Sequence, residues 1–135
     1  MLKFIVAFFL ILHGLVHLLY SGHSWRLFEL KPGMTWPDGS WFLSRLLGDE
    51  ATRSVASILM VVAALGFVFG GTTILLSQDW WRMVIAGAAV FSTVSYLVLW
   101  DGKMLNLDGQ GAIGLLINLA IFLLVIVARR PSFGF

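Results

Sequence analysis

The chain has 135 residues, 59% of them hydrophobic and 12% charged, with a formal net charge of +2 and no cysteine. Ordinary soluble chains are about 45–50% apolar and about 25% charged, so a soluble domain of this size could not hide so much hydrocarbon. The small net charge gives no sign of nucleic-acid binding, and the missing cysteine excludes disulfides, thiolate metal sites and cysteine nucleophiles.

Four runs are apolar enough to cross a bilayer, which takes about 20 helical residues each. They are Phe4 to Tyr20, Val55 to Leu76, Trp81 to Trp100 and Ala112 to Val127. The expected fold is an all-α integral membrane protein, a four-helix transmembrane bundle forming one domain over residues 1–135. Its principal partner is then the lipid bilayer.

The first run begins after Lys3 and resembles the charged and hydrophobic regions of a signal peptide. His13 and His17 interrupt it, and no Ala-x-Ala-like site follows, so a retained span is expected. These histidines are one helical turn apart, Tyr20 continues the face, and Ser24 follows if the helix persists. Ionisable groups in hydrocarbon are costly and face a bundle interior or a cavity, so this stripe should point at the other helices. Asn118 in the fourth span and Ser92, Thr93, Ser95 and Tyr96 in the third are its candidate partners.

Two imidazoles at i and i+4 can chelate one divalent metal from one helix face, with His23 or the carboxylates Asp101 and Asp108 as further ligands if the outer end of the first span bends toward the loop between spans three and four. A haem needs ligands on opposite faces of the macrocycle, so Met60, Met104 or a second subunit would have to complete it. Neutral histidines could also relay protons or bind a quinone carbonyl, with Tyr20 and Asn118 beside them. Against these stands plain packing, in which the histidines hydrogen-bond neighbouring helices and no cofactor is held.

The connection over 21–53 carries turn signals at Pro32-Gly33 and Pro37-Asp38-Gly39. Ser40 can cap a short helix over 41–47, lying on the membrane surface or folded over the bundle. Asp49 is expected to cap the second span and to pair with Arg53, and Asp108 to cap the fourth. Gly66 and Gly70 form a GxxxG pair that brings helices close, within the chain or in a homo-oligomer. Trp25, Trp80, Trp81 and Trp100 fall at span ends, where indoles sit among head groups.

An even number of spans puts both termini on one side. The Arg129-Arg130 pair and the short basic flanks place that side in the cytoplasm of a multi-pass cell-membrane protein.

His17-Leu18-Leu19, Trp80-Trp81, Trp100-Asp101, and Gly114 with Asn118 make the chain resemble a group of small bacterial four-helix membrane proteins with no established activity. That resemblance implies fold and location, and carries over no functional residue. The DoxX-like proteins, some of them subunits of quinone-reducing enzymes, share the architecture, but no motif here is specific to them. The chain also lacks P-loop, Rossmann, HExxH and GxSxG patterns, which argues against a self-contained enzyme. One four-helix unit offers little room for alternating access. The expected function is a non-enzymatic membrane component or accessory subunit, with a homo-oligomer or membrane-complex partner. Its rival is a haem-, quinone- or metal-binding protein using His13 and His17.

Overall fold

A computed structural model describes residues 1–135 as helices joined by loops, without strands. α1 runs Leu2–Ser24, α2 Leu43–Leu75, α3 Trp81–Leu99 and α4 Ala112–Phe122, the last continuing as a π turn over Leu123–Val127. The first three are long and apolar enough to cross a membrane, whereas Ala112–Val127 is a shorter apolar helix. At about 1.5 Å per residue it reaches about 24 Å, short of a roughly 30 Å hydrocarbon core.

Helices pack in chain order, α1 on α2, α2 on α3 and α3 on α4. Small residues set the spacing. A Cβ on Gly14 would lie 2.8 Å from Phe67 Cβ, and one on Gly71 would lie 2.9 Å from the Ala7 carbonyl, so α1 and α2 touch backbone to backbone. Gly66 and Gly70 instead face Ala88 and Ile85 of α3, so the GxxxG pair is used inside the bundle.

α1 outruns its expected limits because its last turn is bonded to α2. Ser57 Oγ donates to the Ser21 carbonyl at 2.7 Å, and Ser24 Oγ donates to the Arg53 carbonyl at 2.7 Å. The short helix expected over 41–47 appears as the first turns of α2, from Leu43. It is set off by Gly48, whose φ of 78° and ψ of 167° break the helical path. Ser40 Oγ accepts from the Leu43 N–H at 3.1 Å, while the N-cap position of the helix itself is Phe42, without a side-chain cap.

Three expectations at these ends are corrected. Asp49 does not cap α2; its carboxylate accepts the Gly39 N–H at 2.9 Å, because the Gly48 kink turns this segment toward the loop. Arg53 pairs not with Asp49 but with Asp38 at 2.9 Å, and Asp38 also holds Arg26 at 2.6 Å. Asp108 lies in a short 3-10 turn ahead of α4 and pairs with Lys31 at 2.8 Å, while Gly111, with φ of 85°, starts the helix.

The 25–42 loop closes over the end of α3. Ser40 Oγ donates to the Val98 carbonyl, Trp41 Nε1 to that of Leu97, and the Trp41 N–H to that of Trp100, each at 2.7 Å. These are carbonyls that a helix end leaves without internal partners. At the opposite, terminal side, Lys3 Nζ donates to Ser77 Oγ at 2.6 Å, and Arg82 donates to the Val125 and Pro131 carbonyls. Trp81 is not an interfacial indole. It is 1% exposed, packed into the core with Phe133 against it and the Arg82 guanidinium over its ring.

Two apolar clusters result. One, nearer the terminal side, gathers Ala7, Leu10, Phe67, Ile74, Trp81, Ile85 and Ile121; the other, under the loops, gathers Trp36, Ala56, Met60, Tyr96 and Leu99. Along α1, α3 and α4, His13, His17, Ser92 and Asn118 fall between residues of the two clusters.

Candidate functional site

α1 contributes His13 and His17, α3 Ser92 and α4 Asn118, all at most 7% exposed. His13 Nε2–H donates to Asn118 Oδ1 at 2.9 Å, and Asn118 Nδ2 donates to Ser92 Oγ at 2.9 Å. His17 sits 2.7 Å from Ser92 Oγ through Nε2 and 3.0 Å from the His13 carbonyl through Nδ1. A carbonyl only accepts, so His17 carries its proton on Nδ1 and takes the Ser92 hydroxyl proton at Nε2. The links therefore run in one direction, from His13 through Asn118 and Ser92 to His17 and back to the His13 carbonyl. Every proton in this circuit is placed with both imidazoles neutral.

The circuit ties α1 to both α3 and α4 across the bundle centre. Its walls are aromatic: Phe67 lies edge-on to His13 at 4.7 Å between ring centroids, and the two imidazoles are edge to face at 5.3 Å. Toward the loops, His17 meets Tyr96 at 5.9 Å, and Tyr96 meets Tyr20 at 5.3 Å. Tyr20 is thus outside the hydrogen-bonded circuit, in a second group with Tyr96 and Trp36. Trp36 Nε1 is buried without a partner.

His23 is separate from the pair. Its Nδ1 lies 3.2 Å from the Phe28 carbonyl and 3.4 Å from the Leu30 N–H, and its Nε2 lies 3.4 Å from Arg26 Nη1. The proposed set of His13, His17 and His23 is therefore not assembled, and no group of three His, Asp or Glu converges as a metal site. The physical reason is that the helix turns His23 into the loop fold, where Arg26 claims it. Asp101 and Asp108 are engaged as well, by the Lys103 N–H and by Lys31.

Above the aromatic group, the loops over 25–42 and 100–111 enclose a cleft of about 140 Å³, lined by Lys31, Trp36, Asp38, Asp101, Asn106 and Gln110 among others. Two carboxyls outside the helices are held below the ordinary range, Asp108 by the hydrogen bond and charge of Lys31 and Asp49 by the Gly39 N–H.

Of the residues singled out from the sequence, His13, His17, Ser92 and Asn118 meet in the circuit, and Tyr20 lies beside Tyr96 outside it. Sequence reasoning missed Trp36 as a buried group. The available signal was an indole directly before Pro37 in a turn-rich, polar loop, a place where an aromatic side chain needs something to pack on.

No family model, curated protein or solved structure matches this chain. Geometry alone carries the functional reading.

Proposed function

We propose that this chain is a non-enzymatic component of a cell membrane, an accessory subunit or homo-oligomer, in which the polar layer fixes one arrangement of the helices. The supporting observation is the closed circuit of His13, Asn118, Ser92 and His17, which uses both nitrogens of His17 and both ends of the Asn118 amide for contacts within the protein. In hydrocarbon such groups find no solvent partner, so a misplaced helix would strand several at once. Arg129 and Arg130 support a topology with both termini in the cytoplasm.

The rival reading, a haem-, quinone- or metal-binding protein, draws on the same imidazole pair at 5.3 Å. An optical spectrum and metal analysis of protein purified in mild detergent separate the two. The structural reading expects neither a Soret band nor stoichiometric metal, and expects His17→Gln to leave the spectrum unchanged while costing about 1 kcal/mol or less. A chelate would instead lose most of its ion in either His13→Gln or His17→Gln.

A further inference from the structure

Under the loop-side cleft, three aromatic side chains with polar tips meet at ring separations of 5.3, 5.3 and 6.0 Å: Tyr20, Trp36 and Tyr96. Trp36 and Tyr96 are each 3% exposed. Trp36 Nε1 is buried with no hydrogen-bond partner. Buried polar groups are satisfied in the great majority of cases, so the Trp36 indole N–H, set beside the two tyrosine rings, is an anomaly that asks for a polar occupant. Edge-on contact with the Tyr20 ring, at an interplanar angle of 88°, offers the Trp36 N–H at most a weak π acceptor.

The surroundings are asymmetric. Trp36 lines the cleft that opens among the loops, and Tyr96 reaches His17 at 5.9 Å. Beyond the histidines, toward the termini, lie Leu10, Phe67, Ile85 and Trp81, an apolar plug at most 3% exposed. Cavities lined by hydrocarbon stay dry, whereas water persists where it finds two to four polar partners. We propose that Tyr20, Trp36 and Tyr96 form the floor of a hydrated pocket, entered from the cleft, that gives protons access to His17 from the loop side of the bundle alone.

The titratable side chains packed on His17 are His13 on its own helix and Tyr96 on α3, with Tyr20 behind Tyr96; Phe67 of α2 and Ser92 of α3 carry no charge, and α4 reaches His17 only through the Asn118–Ser92 bond. A proton taken up at His17 Nε2 makes it a donor toward Ser92 Oγ, which keeps accepting from Asn118. The Ser92 hydroxyl proton turns to its own backbone one turn back. Nδ1–H still donates to the His13 carbonyl, so the imidazolium retains two acceptors. The proton leaves by the same route, because the plug offers none onward. This access is independent of whether the chain is an accessory subunit; a dry pocket would leave the helix-fixing circuit intact.

Because the chain has no cysteine, single cysteines report water access cleanly. Tyr20→Cys and Tyr96→Cys, with Trp81→Cys as a control that opens space in the apolar plug, are to be treated in sealed membranes with a quaternary-ammonium methanethiosulfonate on one side at a time. The expected result is that Tyr20→Cys and Tyr96→Cys react roughly tenfold or more faster from the loop side than Trp81→Cys does from either side, since only a hydrated thiol ionises and meets the reagent. Equal, slow labelling of Tyr96→Cys and Trp81→Cys overturns the pocket, and equal, fast labelling of Tyr96→Cys from both sides overturns the one-sided access. A measurement without substitution covers variants that misfold. In water-edited nitrogen NMR of the unsubstituted protein in lipid, polarisation should reach the His17 ring sooner than the Trp81 indole, and simultaneous arrival rejects the proposal.

Discussion

Replacing both His13 and Asn118 tests whether the polar layer holds the bundle together. Their bond is 2.9 Å long, and the two residues are 7% and 1% exposed, so water cannot stand in for a lost partner. Hydrogen bonds between membrane helices are worth about 0.6 kcal/mol on average and up to about 1.7. Asn118→Leu keeps the volume but removes two bonds, one to each neighbouring helix, so about 1–3 kcal/mol is expected from the lost bonds together with the donor and acceptor left behind. His13→Leu strands Asn118 Oδ1 in the same way. The double variant no longer carries a stranded partner on this link, so its cost should fall below the sum of the single variants by about 0.6–1.7 kcal/mol. Reversible unfolding in mixed micelles, run as a double-mutant cycle, measures this coupling. Additivity within about 0.3 kcal/mol would refute the claim that this contact carries energy.

Close packing gives a second expectation. Gly14→Ala and Gly71→Ala place a Cβ 2.8 Å from Phe67 Cβ and 2.6 Å from Ile11 Cγ1, so each should lower stability by about 1–3 kcal/mol, while Gly87→Ala, which meets nothing within 4 Å, should be neutral or gain up to about 1 kcal/mol. A thermal melt of the three variants decides it, and equal shifts would refute the spacing argument. A third concerns pH. The Asp108 carboxyl is held below its ordinary value by Lys31, so its pairing contributes above the unfolded pKa near about 3.9 and is lost as pH falls through the lower folded value. Carboxyl NMR should show Lys31→Gln moving the Asp108 midpoint upward, and an unmoved midpoint would remove Lys31 as the cause. For topology, a reporter active only in the cytoplasm should work after Phe135 and fail near Asp38; the reverse would invert the orientation, and activity at both would break the even count of crossings.

Hydropathy and the spacing of polar residues made the helical class, the approximate spans and the polar stripe legible from the chain alone. These are local properties: about 20 apolar residues demand a helix in lipid, and a period near 3.6 puts His13, His17 and Tyr20 on one face. His13 and Asn118 were paired in anticipation because few polar groups exist in the spans to satisfy each other. Helix ends were less legible. Asp49, Asp108 and Arg53 had acceptable partners close in sequence, yet each binds a residue on a different segment, since a charge in a folded loop answers to whatever the tertiary path brings nearest.

Tertiary structure alone decided how the stripe divides, with His13 and His17 turned to α4 and α3 while Ser21 and Ser24 bond to α2. It removed His23 from the pair, sank Trp81 into the core and brought Trp36 from a distant loop onto Tyr20 and Tyr96. Local sequence fixes which groups must be buried or bonded. Which partner each one finds depends on how close the backbones come, and here Gly14 and Gly71, at the α1–α2 contact, set that distance.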